Sequence, residues 1–192
     1  MKKRAFAATA AALLLFVPQT ASADPILIDQ WYTFGFGGTG SSLTSGVGYS
    51  IGTNPAAIAA PDASWTFSLA EGGSLLVVDG FNSGDRFQIS NFGIDIGITS
   101  APVLGQSCGD DITACLNNAA LSQGTFNLAA GNHSISGTVA NSPFGSGAGF
   151  FRVSAVTSVP EPTTWAMMLI GFAGIGVALR RRRRSVMICQ SA

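Results

Sequence analysis

Apolar and polar residues alternate over short stretches through most of the chain. In Ser64–Leu69, for example, Trp65, Phe67 and Leu69 fall on one face of an extended strand. Gly93–Thr99 likewise places Ile94, Ile96 and Ile98 together. Alternation and short apolar runs predict about eight strands: Ile26–Phe36, Ser64–Leu69, Ser74–Val78, Arg86–Asn91, Gly93–Thr99, Gly124–Leu128, His133–Ala140 and Phe150–Val156.

The segments between these strands are rich in small and turn-forming residues. Gly35–Gly48 is predicted to be a loop, Asn54–Asp62 to be irregular, and Ala101–Asn118 to be a longer excursion. No helical periodicity is visible between residues 24 and 158. The pattern therefore predicts a mainly β domain over 24–158, an antiparallel β-sandwich of jelly-roll-like type.

The N-terminal residues 1–23 have the three parts of a signal peptide. Lys2, Lys3 and Arg4 precede the apolar run Ala5–Val17, and Ala21 and Ala23 form a small-residue cleavage site. We therefore expect export of the domain that follows.

The C-terminal region contains a second apolar run, 17 residues without a charge from Thr163 to Leu179. As a helix it would rise roughly 25 Å, close to the thickness of a bilayer core. Pro160 and Pro162 disfavour helix upstream of it. The run is predicted to be a transmembrane helix whose N-terminal side lies outside the inner membrane. A cluster of five arginines fixes that orientation by staying cytoplasmic: Arg180, Arg181, Arg182, Arg183 and Arg184.

The residues around this run resemble a known sorting signal. Pro160, Glu161, Pro162, Trp165 and Ala166, followed by the apolar run and the arginines, resemble the PEP-CTERM signal of Gram-negative bacteria in its PEP-x-x-W-A form. The resemblance covers 159–184 and leaves 185–192 as a short tail that continues beyond the usual end.

The resemblance implies recognition by an exosortase, a membrane-embedded cysteine transpeptidase that cuts near the Pro-Glu-Pro motif. The protein would then be held in the membrane, processed, and released or attached at the cell surface. The implied setting is exopolysaccharide or biofilm matrix. Without the specific residues, the same spacing would describe an unprocessed single-span membrane protein.

Charge is distributed unevenly, although the formal net charge of the chain is zero. Within 24–158 there are two basic residues, Arg86 and Arg152, against nine acidic ones. An acidic domain without lysine argues against nucleic acid as a partner.

The two cysteines of the domain, Cys108 and Cys115, enclose six residues and are predicted to form a disulfide in an exported protein. A metal site that combines them with Asp110 and Asp111 is the alternative, and it lacks a second cysteine pair or nearby histidines.

Asp79–Asp85 has some of the oxygen ligands of a calcium loop. Phe81 occupies a ligand position and Ser90 replaces the final glutamate, so an EF-hand is excluded. A looser calcium site that uses Asp79, Asp85 or Asp95 stays open, against a polar hairpin turn. No other metal or cofactor is expected.

No motif indicates an enzyme. Gly35–Gly40 matches G-x-G-x-x-G, but no helix follows to hold a pyrophosphate. His133 is the single histidine, and no G-x-S-x-G elbow accompanies it. We expect His133 to be structural or exposed.

The domain itself looks like the β-rich bodies often found ahead of PEP-CTERM signals. The resemblance spans Val77–Val153 and includes Gly84–Phe87, Thr99–Ser100 and Gly131–Ile135. It implies a fold and an extracytoplasmic setting. The leading expectation is a non-enzymatic matrix protein. The alternative is a glycan-binding module or weak glycan-acting enzyme whose candidate stacking residues are Trp31, Tyr32 and Trp65.

Overall fold

A computed structural model describes residues 25–156 and 162–188, with side chains described for 25–156 and 165–180. The strands are β1 (Trp31–Phe36), β2 (Leu43–Thr44), β3 (Ala57–Ala59), β4 (Trp65–Leu69), β5 (Gly73–Asp79), β6 (Phe81–Asn82), β7 (Arg86–Asn91), β8 (Ile94–Ile98), β9 (Ser107–Gly109), β10 (Gln123–Leu128), β11 (Gly131–Asn141) and β12 (Gly147–Ala155). Two helices are described, α1 (Ile112–Asn117) and α2 (Pro162–Ile188).

Two antiparallel sheets form the body. The larger has the order β10-β5-β12-β1-β2, with β3 added parallel to β1. The smaller has the order β4-β11-β7-β8, and β6 pairs with β9 in a separate ribbon. This arrangement confirms the prediction of a mainly β, antiparallel sandwich.

Aromatic side chains fill the space between the sheets. Phe34 of β1 lies 5.3 Å from Phe87 of β7, and Phe151 of β12 stacks on Trp65 of β4 at 4.1 Å between ring centroids. All four rings are completely buried. The alternating residues of facing strands therefore make one shared core, as the period-2 pattern requires.

The opposite face of the larger sheet is covered as well, which explains why all six residues of β1 are buried. A second apolar cluster forms there from Trp31, Ala57, Val78, Ile112, Cys115, Leu121 and Phe150. Helix α1 supplies Ile112 and Cys115 to this cluster, so this short helix covers part of that face of the sheet.

Three local predictions were wrong. The first strand begins at Trp31 and not at Ile26, because Ile26 instead donates its N–H to the Thr66 carbonyl beside β4. Segments predicted as loop or irregular contain β2 and β3. The body also contains a helix, α1, which is too short to produce a periodic pattern.

The isoleucines of β8 are not buried together as the alternation suggested. The register shifts opposite Ile89 and Ser90, so Ile96 is an extra residue in β8. A bulge of one residue reverses which side chains face the core. Ile96 packs against the core, whereas Ile94 is 71% and Ile98 40% exposed.

The C-terminal unit consists of α2. Helix α2 is described from Pro162 onward, and Pro160, which is predicted to disfavour helix upstream, lies outside the described residues. Among the residues whose side chains are described, 25–156 and 165–180, no helix is both long and apolar enough to cross a membrane. The predicted transmembrane helix over 163–179 is therefore not confirmed.

Candidate functional site

A buried pair of carboxyl groups lies where β5 turns into β7. Asp79 is the last residue of β5 and Asp85 directly precedes β7; they are 0% and 3% exposed. The Asp85 N–H donates to Asp79 Oδ2 at 3.2 Å. The segment between them includes Gly84, whose φ of +150° favours glycine and where a Cβ would lie 2.7 Å from Pro143 Cγ and 2.8 Å from Leu104 Cδ2. Two acidic side chains are thus held together inside the protein.

The surroundings favour the neutral forms of both groups. Burial, and then the neighbouring Asp85 carboxylate, raise the pKa of Asp79 to about 8, while the backbone N–H groups of Asp85, Gly84 and Gly80 oppose this rise. Burial also raises the pKa of Asp85, and the Ser142 hydroxyl opposes it. Within the described residues, Asp79 Oδ1 and Asp85 Oδ1 make no hydrogen bond. The pair is therefore costly to ionise in the protein alone.

A cavity of about 280 Å³ adjoins the pair. Asp85 forms part of its wall together with Asn82, Tyr49, Phe81, Phe144 and Gly147. Asp79 has no exposed surface and does not line the cavity, so the cavity adjoins the pair at Asp85. The arrangement gives a small solute or ion access to the pair from one side.

Asp95, the third predicted calcium candidate, is not part of this site. It lies on β8, exposed, and its Oδ1 accepts a hydrogen bond from Ser90 at 2.6 Å. Among the side chains described for 25–156 and 165–180, no group of three or more His, Cys, Asp or Glu residues is placed to hold a metal. Of the predicted ligands, the structure brings together Asp79 and Asp85 alone.

His133 has a structural role, as expected. Its Nε2 faces the Ala129 carbonyl at 3.0 Å, which places the proton on Nε2, and its Nδ1 accepts from the Asn91 amide at 3.0 Å. The ring stacks on Phe67. Both ring nitrogens therefore have hydrogen-bond partners within the body.

The three aromatic residues proposed for sugar stacking are buried, so that prediction was wrong. Trp31 lies under Arg152, whose guanidinium is 5.2 Å from the ring, and Trp65 donates to the Pro61 carbonyl within the core. Tyr32 stacks on Phe151 and accepts from the Leu27 N–H. The sequence does not show that β1 is covered on both faces, so it could not reveal that Trp31 and Tyr32 are both buried.

The predicted disulfide between Cys108 and Cys115 is formed and joins β9 to α1. This pairing excludes the alternative in which both thiolates bind a metal. Asp111 instead caps α1: its carboxylate accepts from the Ala114 N–H at 2.9 Å, which is the main reason that the pKa of Asp111 is lowered, and the Asn54 amide adds to the effect.

The sorting residues lie in the C-terminal unit. Trp165 is 58% exposed and Ala166 is exposed on α2. Pro160 and Glu161 lie outside the described residues, as do the predicted signal peptide with Ala21 and Ala23 and the end of the tail from residue 189. Pro162 and Arg181–Arg184 belong to α2 by their backbone, and Arg180 is exposed.

Comparison with known protein families decides the nature of this segment. A family model described as the PEP-CTERM protein-sorting motif matches residues 158–183. The chain contains a PEP-CTERM protein-sorting motif. The match agrees closely with the predicted boundaries 159–184, and the motif implies a chain that is exported and then processed by an exosortase-type enzyme. No curated protein and no solved structure gave a significant match.

Sequence reasoning missed two residues at the buried carboxyl pair, Ser142 and Tyr49. Both come from distant parts of the chain, after β11 and between β2 and β3. Neither belongs to a local motif, so only the fold reveals their position.

Proposed function

We propose that this PEP-CTERM protein is a non-enzymatic component of the exopolysaccharide or biofilm matrix. The signal peptide exports the chain, and the apolar run over 163–179 holds it in the inner membrane with the body outside. An exosortase then cuts near Pro160–Pro162, and the body is released or attached at the cell surface. The single observation that carries the proposal is the matched sorting motif at 158–183.

The character of the body supports the same proposal. It contains a disulfide, which persists in oxidising compartments outside the cytoplasm. Its excess of acidic residues keeps it soluble and away from nucleic acid. The apolar side chains of α2 described between 165 and 180 are exposed, so they are available to lipid or to a membrane enzyme.

The intact mass of the mature protein from its own host tests the proposal. We expect a mass that lacks residues 1–23 and everything after the motif. A mass that retains the apolar run and the arginines would instead support an unprocessed single-span membrane protein and contradict sorting.

Substitution of the motif locates the recognition. Glu161→Ala and Trp165→Ala should each leave the precursor uncut, whereas Thr163→Ala, which changes one of the unspecified positions of PEP-x-x-W-A, should be processed normally. Equal processing of all three variants would contradict recognition through the motif.

A glycan-binding or weakly glycan-acting body is the alternative, and the cavity beside Asp85 is the feature that favours it. Tyr49, Phe81 and Phe144 line this cavity, and aromatic rings are the side chains on which a sugar would pack. A glycan array with Phe144→Ala separates the two functions: binding that the substitution abolishes supports the alternative. Phe92→Ala is the matched control, since Phe92 is a similarly exposed ring outside that cavity.

A further inference from the structure

Three side-chain oxygens, from the segment between β5 and β7 and from the end of β11, are buried and make no hydrogen bond within the described residues. Besides Asp79 Oδ1 and Asp85 Oδ1, Ser142 Oγ is buried and unpaired within the described residues. The Ser142 hydroxyl is close enough to Asp85 to influence its carboxyl group. Buried polar atoms are nearly always paired in folded proteins, so three unpaired oxygens at one place indicate a missing partner.

A cation is a suitable partner. Two adjacent carboxylates in a buried site repel each other and lose their hydration; protonation relieves both costs at low pH, and a bound cation relieves them once the carboxylates are ionised. Arg86 and Arg152 are the only basic residues in 25–156 apart from His133. Arg86 donates to the Thr99 carbonyl, and Arg152 stacks over Trp31. His133 is held between Asn91 and Ala129. The charge therefore comes from outside the protein.

We propose that Asp79, Asp85 and Ser142 form a low-affinity calcium site that is open to the adjoining cavity through Asp85. All three ligands are oxygens, which suits a hard divalent cation and not zinc or copper. Calcium needs six to eight oxygens, and water in the cavity supplies those that the protein lacks. Fully buried Asp79 with its unpaired Oδ1 is the anchor of the site, and Asp95 has no part in it.

With so few protein ligands, the affinity falls in the submillimolar to millimolar range typical of extracellular calcium modules. Such a range is useful only to a protein outside the cytoplasm. The calcium site does not depend on sorting. Processing is tested by intact mass and calcium binding by calorimetry, so the failure of one proposal can be distinguished from the failure of the other.

Calcium alone is the probe for the test, added to the mature chain purified from its host and stripped with a chelator. We expect heat of binding by titration calorimetry and a melting temperature that rises once free calcium exceeds the dissociation constant. Magnesium, which requires near-ideal octahedral geometry, should raise the melting temperature less.

Isosteric variants assign the ligands. Asp79→Asn and Asp85→Asn should weaken calcium binding by at least about tenfold, and Ser142→Ala by a smaller factor. Asp95→Asn is the matched control and should bind as the unmodified protein does. Calorimetry remains informative if a variant changes stability, because it measures binding to the folded chain.

Two results would overturn the proposal. One is an unmodified protein that neither binds calcium nor melts at a higher temperature in its presence. The other is binding that survives unchanged in both Asp79→Asn and Asp85→Asn. An equal effect of magnesium would overturn the assignment to calcium.

Discussion

At the scale of single residues, Asp79 has a strongly raised pKa, which makes the stability of the body depend on pH. Its carboxyl is completely buried, and its pKa is raised to about 8 by burial and by Asp85. In the unfolded chain the same group has its ordinary pKa, 3.8. At pH values between 3.8 and about 8, Asp79 holds a proton in the folded protein that it has lost in the unfolded chain.

This difference predicts that the cation-free protein loses stability as pH rises from about 4 to about 8. The unfolded state binds fewer protons in that window, so the free energy of unfolding falls by up to about 1.4 kcal/mol per pH unit. Asp85, whose pKa is also raised, acts in the same direction. Urea unfolding at several pH values in chelator measures the slope.

Asp79→Asn should reduce that slope and make the protein more stable than the unmodified chain at pH 8. Glu71→Gln, an exposed acidic position in the turn before β5, should leave the slope unchanged. Stability of the unmodified protein that is constant or increasing across this window would contradict the buried charge pair.

Gly46 supplies a second prediction at this scale. A Cβ at this position would lie 1.9 Å from the Thr33 carbonyl oxygen, because the chain passes directly against β1 there. The Gly46 N–H also donates to the Ala60 carbonyl at 3.0 Å. Gly46→Ala should therefore lower the free energy of unfolding by about 1–3 kcal/mol or more, measured by urea unfolding.

Gly38→Ala is the control for Gly46→Ala. Its new Cβ would be 3.5 Å from the Gly145 carbonyl oxygen, an ordinary contact, so the change should stay within about 0.5 kcal/mol. Similar losses in both variants would show that the close approach to Thr33 is not the cause.

How far the candidate site could be predicted is also decided residue by residue. Asp79 and Asp85 are six residues apart on either side of one connection, so their proximity could be predicted from the sequence. Ser142 was not predicted, since antiparallel pairing of β11 with β7 is what brings the end of β11 to that turn. Asp95 is close to these residues in the sequence, but in space it lies further along the hairpin, exposed on β8.

At the scale of elements, alternation predicted strands well wherever one face is buried and the other is not. The pattern in β4 matches its burial, with Trp65, Phe67 and Leu69 inside. It failed at β8, where the bulge at Ile96 breaks the period, and at α1, whose six residues are fewer than two turns. Asp111 was the one local signal of that helix, as its N-cap.

The disulfide joins α1 to β9, which gives a prediction at this scale. Replacing Cys108 and Cys115 by alanine should lower the free energy of unfolding by about 2–3 kcal/mol, since a short closed loop is released in the unfolded chain. Urea unfolding of the variant and of the chemically reduced protein should agree.

Cys189→Ala is the matched control for the disulfide, since Cys189 is the third cysteine of the chain and has no part in the bond. It should leave stability unchanged under oxidising conditions. A loss below about 0.5 kcal/mol in the double variant would contradict a stabilising role for the crosslink.

At the scale of the whole molecule, the chain divides into a β-rich body and a C-terminal segment that matches a protein-sorting motif. Among the residues whose side chains are described, every member of the two apolar clusters lies between Ile26 and Val153. The matched sorting motif begins at residue 158, five residues beyond the last of them. A cut between Val153 and the motif would therefore remove none of the described core side chains.

This division predicts that removal of residues 157–192 leaves the body as stable as before, because neither cluster loses a member. The melting temperature of the truncated protein, followed by circular dichroism in chelator, should match the body transition of the full chain. Removal from Val153 onward is the contrasting variant: it deletes a completely buried side chain and the last residues of β12, and it should melt well below the first. A truncated protein ending at Val156 that melts several degrees lower than the full chain would show that the sorting segment stabilises the body, and a body of that kind would not be left intact by processing.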